Sequence, residues 1–172
     1  RTGSFKIRGA YVRIARLSEE ERKHGVVAAS AGNHAQGVAL AAKMLGTKAT
    51  IFMPEGAALP KVAATEGYGA DIKFHGSGVT EALVPATAFA EETGAVLIHP
   101  FDHEDILAGQ GTVGLEILEQ CPDVKTILVP VGGGVLAAGI ALLRTERPDI
   151  RIVGVQAEDA AAYPASLKAG HP

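Results

Sequence analysis

At 172 residues the chain has room for one domain, or for one and part of another. Its net charge of −3 gives nucleic acid no electrostatic hold, and no apolar run approaches the roughly 18 residues of a membrane span. A single cysteine, Cys121, rules out an intrachain disulfide framework and suits a reducing compartment.

In chain order, Ser4 stands where an N-cap belongs, and Ile7, Ala10, Tyr11, Ile14 and Leu17 then recur at helical spacing. Ser18 and Glu21 have the spacing of a capping box for a short helical turn that ends near Gly25. The apolar run 25–29 does not alternate, as expected of a strand buried on both faces. A helix over 32–45 follows and stops at Gly46. The pattern repeats as strand 49–53, helix 60–65, strand 71–74, helix 80–92, strand 95–98 and helix 106–120. It ends with strand 126–131, helix 136–143 and strand 150–155. Strand and helix alternate with no linker and no low-complexity stretch. The expected fold class is α/β, a three-layer, mostly parallel sheet with helices on both faces. Ligands of such sheets bind outside the carboxyl ends of the strands, so the loops leaving strands are the candidate sites.

Three stretches and one lysine qualify. SAGNHAQG, residues 30–37, leaves the first strand. Its small residues admit a ligand to the backbone, and a new helix offers free N–H groups to an anion. A helix cap with a packing glycine explains it equally simply. PVGGGVLAAG, residues 130–139, carries three consecutive glycines into a helix start. Without side chains their N–H groups can close around a phosphate. Gly132, Gly134 and Ala137 also fit the dinucleotide fingerprint, with Glu158 beyond at about the spacing of a ribose-binding acid. A tight turn is the plain alternative. GQGT, residues 109–112, is either a ligand-facing turn or an ordinary helix opening. Lys6 sits between Phe5 and Ile7 at a helix N-terminus, where desolvation and the helix dipole both disfavour its ammonium form. Such a lysine is a nucleophile suited to Schiff-base chemistry, although most lysines are solvated surface charges.

Other clusters read as structural. His99, His103 and Glu104 straddle Pro100, and the chain has neither HExxH nor paired cysteines, so no metal site is expected. Glu19–Glu21 form a solvated face, and Cys121 at a helix end is a packing residue. A serine hydrolase lacks its G-x-S-x-G elbow here.

RTGSFKIRGAY, SAGNHAQGVA, FDHEDILAGQGT and VPVGGGVLAAG, in that order, resemble the fold-type II pyridoxal-phosphate enzymes. Within them the chain is most similar to the L-threonine dehydratases (threonine ammonia-lyases), almost from end to end. The resemblance implies a tryptophan synthase β-like fold. It also implies an internal fragment of a two-lobed catalytic domain, with about 30–125 mostly the small lobe and the rest of 1–172 part of the large lobe. Lys6 would be the Schiff-base lysine and the base at Cα, and Phe5 would pack near the cofactor ring. Asn33 would hydrogen-bond the ring oxygen, and the backbone of Gly132, Gly133, Gly134, Val135 and Leu136 would hold the phosphate of pyridoxal 5′-phosphate. Ser30, Ala31, Gly32, Asn33 and His34 would receive the substrate carboxylate. The implied reaction removes water and ammonia from L-threonine, or L-serine, to give 2-oxobutanoate or pyruvate. A serine/threonine racemase of the same family and an NAD(P)-binding Rossmann domain are the alternatives. The resemblance further implies a cytoplasmic lyase of amino-acid metabolism, isoleucine biosynthesis included, working as a homo-oligomer with no nucleic-acid or membrane partner.

Three departures bear on this. Val135 stands where the family often has a fourth glycine; a β-branched residue closes the loop only if that position is already helical. Ala31 stands where serine racemases usually carry a second serine, which favours elimination over racemisation. Gln156 and Ala162 fall near the carboxylates of relatives that bind a divalent cation, so that metal site is not carried over.

Overall fold

The structure is a computed structural model and describes residues 2–171. Arg1 and Pro172, the outermost residues of the expected domain, lie outside the described residues. The elements in order are α1 (Lys6–Ala15), α2 (Glu19–His24), β1 (Val26–Ala29), α3 (Asn33–Met44), β2 (Ala49–Met53), α4 (Leu59–Gly67) and β3 (Asp71–Phe74). Then come α5 (Val79–Thr93), β4 (Val96–Leu97), α6 (Glu104–Gln120), β5 (Thr126–Pro130), α7 (Val135–Ala141), β6 (Arg151–Val155) and α8 (Tyr163–Ala169).

All strand pairings are parallel, and the strands form two sheets, β3-β2-β1-β4 and β5-β6. In the larger sheet Val26 pairs with Ala49 and Ala28 with Ile51. Side chains alternate across a strand, so the sheet feeds two cores. Val26, Ala28, Ile51 and Met53 pack with the apolar faces of α1 and α3. Val27, Ala29 and Phe52 pack on the other face against Ala82 and Ala86 of α5. Both faces of β1 and β2 are therefore buried, which explains their unbroken apolar runs. The smaller sheet has its own core, in which Ile127, Val129 and Ile150 meet Leu136 and Ile140 of α7. Phe5 packs into that third core, while Ile7, two residues on, packs into the first.

Glycines let the helices between the sheets approach closely. A Cβ on Gly109 of α6 would lie 2.5 Å from Gly9 Cα and 2.6 Å from Arg8 O, both backbone atoms of α1. A Cβ on Gly37 of α3 would lie 3.1 Å from Ile7 N and from Lys6 C. So α1 is held between α3 and α6 by backbone contact at its first two turns. Charge holds it as well: Arg8 grips Glu116 in a bidentate pair at 2.5 and 2.7 Å, and Arg16 reaches buried Asp105 at 2.5 Å.

The Ser18–Glu21 capping box is present in both halves. Other expectations change. Ser4 does not cap α1; the N-cap is Phe5 in helical conformation with no side-chain bond, and the Ser4 hydroxyl is buried without a partner. GQGT neither opens a helix nor faces a ligand loop, because Gly109–Thr112 lie inside α6, where Gly109 is a packing glycine. Cys121 is exposed at the end of α6 and is not a packing residue. The helix α8 was not expected at all.

Candidate active site

The exits of β1, β4, β5 and β6 and the start of α1 supply the functional side chains. Lys6 is the first residue of α1, where neither a capping side chain nor a first-turn acid stabilises its charge. Its Nζ donates to Pro100 O at 2.6 Å and lies 5.5 Å from the centre of the Phe5 ring. Burial lowers the pKa of its amine.

The segment Ile98–Pro100 leaving β4 supports this amine from below. His34 Nε2 donates to Ile98 O at 2.8 Å. Its imidazole is buried, and burial pushes its pKa down to about 4 against the opposing bond to Ile98 O. The nearby charges of Lys6 and His99 push it the same way. His99 is lowered as well, chiefly by burial. Its Nδ1 accepts from Asp102 N at 2.8 Å and from Phe101 N at 3.3 Å, so the ring caps the loop that follows. His103 likewise uses Nδ1 to accept from Asp105 N at the start of α6. Among the described residues no His, Cys, Asp and Glu cluster is arranged to hold a metal ion.

Across from Lys6 lies the glycine loop. Phe5, Lys6, Gly132, Gly133, Val135 and Leu136 line one cavity of about 340 Å³, and Gln156, just past β6, lines another side of it. The loop is shaped residue by residue. Gly134 has φ +82°, which a side chain would strain, and a Cβ there would overlap the Tyr163 hydroxyl. A Cβ on Gly133 would run into the Phe101 ring at 2.6 Å. A Cβ on Gly132 would meet nothing within 4 Å, so open space adjoins that Cα. Val135 is the first residue of α7 and already helical, so the missing fourth glycine does not keep the loop from closing. Gly134 also lines an adjoining cavity of about 640 Å³, with Phe101, Asp102 and Tyr163.

The SAGNH stretch lies at the exit of β1 and leads into α3. The Ser30 hydroxyl accepts from Gly32 N at 3.2 Å, and Ala31 and Gly32 are half-buried. Asn33 is exposed, and its side-chain oxygen accepts from Lys61 Nζ at 3.0 Å. His34 turns inward to Ile98, so only its backbone is available at the loop. The structure thus gathers six of the expected residues around one cavity, while Asn33 and the His34 ring point elsewhere. Sequence reasoning passed over Gln156 and Pro100 as parts of the site. Their signal was position alone: Gln156 directly follows β6, and Pro100 stands three residues beyond the end of β4.

A half-buried amine facing a side-chain-free backbone loop has the chemistry to capture a carbonyl beside an anion. The family model described as "Pyridoxal-phosphate dependent enzyme" matches residues 1–172. The chain belongs to this family. Among pyridoxal-phosphate enzymes it is similar to the L-threonine ammonia-lyase of Thermotoga maritima, with 53% identity over 99% of this chain and 43% of that protein. It superimposes on threonine deaminase isoform 2 of Solanum lycopersicum with TM-score 0.96 and 43% identity, over 99% of this chain and 50% of that one. Maize serine racemase gives the same TM-score at 42% identity, over 99% of this chain and 52% of that one. The chain spans half or less of the first two of these proteins and 52% of the third. With membership of a pyridoxal-phosphate family, the dinucleotide reading of Gly132–Ala137 falls away, and Glu158 is exposed in a 3-10 turn. The residues present fit pyridoxal phosphate: Lys6 supplies the amine, and the open face of Gly132 supplies backbone that an anion can approach.

Proposed function

We propose that this chain carries the reacting centre of an enzyme that eliminates water and ammonia from L-threonine, and from L-serine, to give 2-oxobutanoate or pyruvate. The observation that carries the reading is the shared cavity of Lys6 and Gly132–Gly133. When bound, pyridoxal phosphate supplies an electron sink for the bond broken at the substrate Cα. Lys6 is the residue that holds the cofactor and, once free, the base that takes the Cα proton. Its burial favours the neutral amine that this task needs. Phe5 flanks the ring, and the backbone over Gly132–Leu136 holds the phosphate. In this reading Ser30–His34 receive the substrate carboxylate through backbone N–H groups and the Ser30 hydroxyl. The start of α3 suits an anion, having no first-turn acid and no side-chain cap. Asn33 keeps its amide N–H donors for the cofactor ring oxygen, since its bond to Lys61 uses only the side-chain oxygen. Ala31 brings no hydroxyl for a second proton transfer, which supports elimination over racemisation.

The same reading takes residues of about 30–125 as the small lobe and the working enzyme as a cytoplasmic homo-oligomer. Leu128 and Val155 of the smaller sheet, 67% and 51% exposed, support further burial in the whole protein. Among the described residues no helix is long and apolar enough to cross a membrane.

The test uses the full-length protein with pyridoxal phosphate bound. Release of 2-oxo acid is measured with L-threonine, L-serine and D-serine, alongside the optical rotation of recovered serine. Elimination from the two L-amino acids is expected, and borohydride should fix the cofactor to Lys6 in a peptide map. Lys6→Ala should lose both the label and the activity. Racemisation faster than elimination, or a label on another lysine, overturns the proposal.

A further inference from the structure

Gln156 is the polar side chain that ties the cavity wall together, and the mechanism above gives it no task. Its Nε2 donates to Val131 O at 3.2 Å and reaches Ala160 O at 3.4 Å. Its Oε1 accepts from Tyr163 N at 3.1 Å. Val131 immediately precedes Gly132, and its own N–H donates to Val155 O at 2.8 Å. Both backbone polar groups of Val131 are therefore tied to the exit of β6, one through the backbone and one through Gln156. The far end of this strap is Tyr163, whose hydroxyl occupies the space a Gly134 side chain would need.

A loop of three glycines has little conformational preference of its own, so its shape must come from its neighbours. Here the neighbours reach it from both ends: Val131 fixes the entry and Tyr163 bears on Gly134 at the exit. A single side-chain amide bonds to both. A loop held in its binding shape before the anion arrives binds more tightly than one ordered by the anion.

We propose that Gln156 is a positioning residue for phosphate capture. It holds Val131 and the Ala160–Tyr163 strap so that Gly132–Gly134 keep an anion-receiving conformation. This rests on the reading that the glycine loop holds the cofactor phosphate.

The experiment uses full-length protein stripped of cofactor. Dissociation constants are measured by absorbance titration for pyridoxal 5′-phosphate and for pyridoxal, which has the aldehyde but no phosphate. If the unsubstituted protein binds the two equally, the loop does not hold the phosphate and the reading beneath the proposal is wrong. If it prefers the phosphate, Gln156→Met keeps the side-chain length and removes all three bonds. Loss of a donor to an inward carbonyl corresponds to about a tenfold weakening for pyridoxal phosphate. Pyridoxal affinity should stay within about twofold, because Lys6 is untouched. Gln156→Glu keeps the acceptor for Tyr163 N but turns an oxygen toward Val131 O, and should weaken the phosphate form more than Gln156→Met does. Should Gln156→Met fail to fold, Gln156→Glu decides the matter alone. Unchanged affinity for pyridoxal phosphate, or an equal loss for both ligands, overturns the proposal, since the first denies the role and the second reduces it to general folding.

Discussion

Replacing Gly109 with alanine tests the seam on which the lysine is mounted. In most helix interiors this change is favourable by about 1 kcal/mol, through alanine's better helix propensity. Here the new Cβ would lie 2.5 Å from Gly9 Cα and 2.6 Å from both Arg8 O and Gly9 N. Carbon contacts are comfortable near about 3.5–4.0 Å, so α1 and α6 would have to part by about 1 Å. All three obstacles are backbone, so no rotamer change relieves them. The Arg8–Glu116 and Arg16–Asp105 pairs on either side resist the separation. Overpacking of this kind costs about 1–3 kcal/mol, and an unyielding contact belongs at the upper end. After the gain in propensity, Gly109→Ala should destabilise by about 2 kcal/mol. Gly67, the last residue of α4, has nothing within 4 Å of its Cβ position, and Gly67→Ala should stabilise by about 0.5 kcal/mol. Urea denaturation of the two full-length variants measures both. Because Gly9 lies one turn from Lys6, Gly109→Ala should also slow cofactor capture. If Gly109→Ala matches or exceeds the stability of Gly67→Ala, the close approach of α1 and α6 is wrong.

Other outcomes follow from the same geometry. His34, ordinarily near 6.5, is held to about 4 in the fold, so the unfolded chain takes up a proton that the folded chain refuses. Stability should therefore decline as the pH falls from 6.5 toward 4, by roughly 3 kcal/mol in all, and His34→Asn should flatten that part of the urea-midpoint profile. Asp105, 4% exposed, answers both Arg13 and Arg16, and Asp105→Asn should cost about 2 kcal/mol in thermal or urea unfolding. Arg16→Ala should cost under about 1 kcal/mol, since that guanidinium is 63% exposed. A cost for Asp105→Asn no larger than that for Arg16→Ala would deny the buried pair its role. Gly132→Ala should leave stability within about 0.5 kcal/mol while weakening pyridoxal phosphate at least about tenfold, because its methyl enters space open to the ligand and not protein. Equal affinity in a titration of this variant would remove Gly132 from the phosphate cradle.

How much of this could be read from the residues depended on how local the cause was. The Ser18–Glu21 box was legible because both of its bonds close within four residues. β1 and β2 were legible because burial on both faces leaves an unbroken apolar run. Ser4 misled because its hydroxyl is buried without a partner and Phe5 takes the N-cap position, at a helix start packed closely against Gly37 of another helix. The division into two sheets was hidden, since nothing in residues 126–130 says which strand will lie beside them. The exposed helix α8 has no apolar stripe, and only Pro164 near its start and Gly170 at its end marked it. In the site, Lys6 and the glycine run stood out by composition. Gln156 did not, because its partner Val131 is 25 positions away in sequence.

Phe5 belongs to the core of the smaller sheet and Ile7 to that of the larger, which puts Lys6 on the line between two bodies. The backbone that carries the amine is therefore clamped from both sides, and neither sheet alone decides where Lys6 stands. Loosening either core would blur the aim of that one side chain, so its placement is a joint property of both sheets.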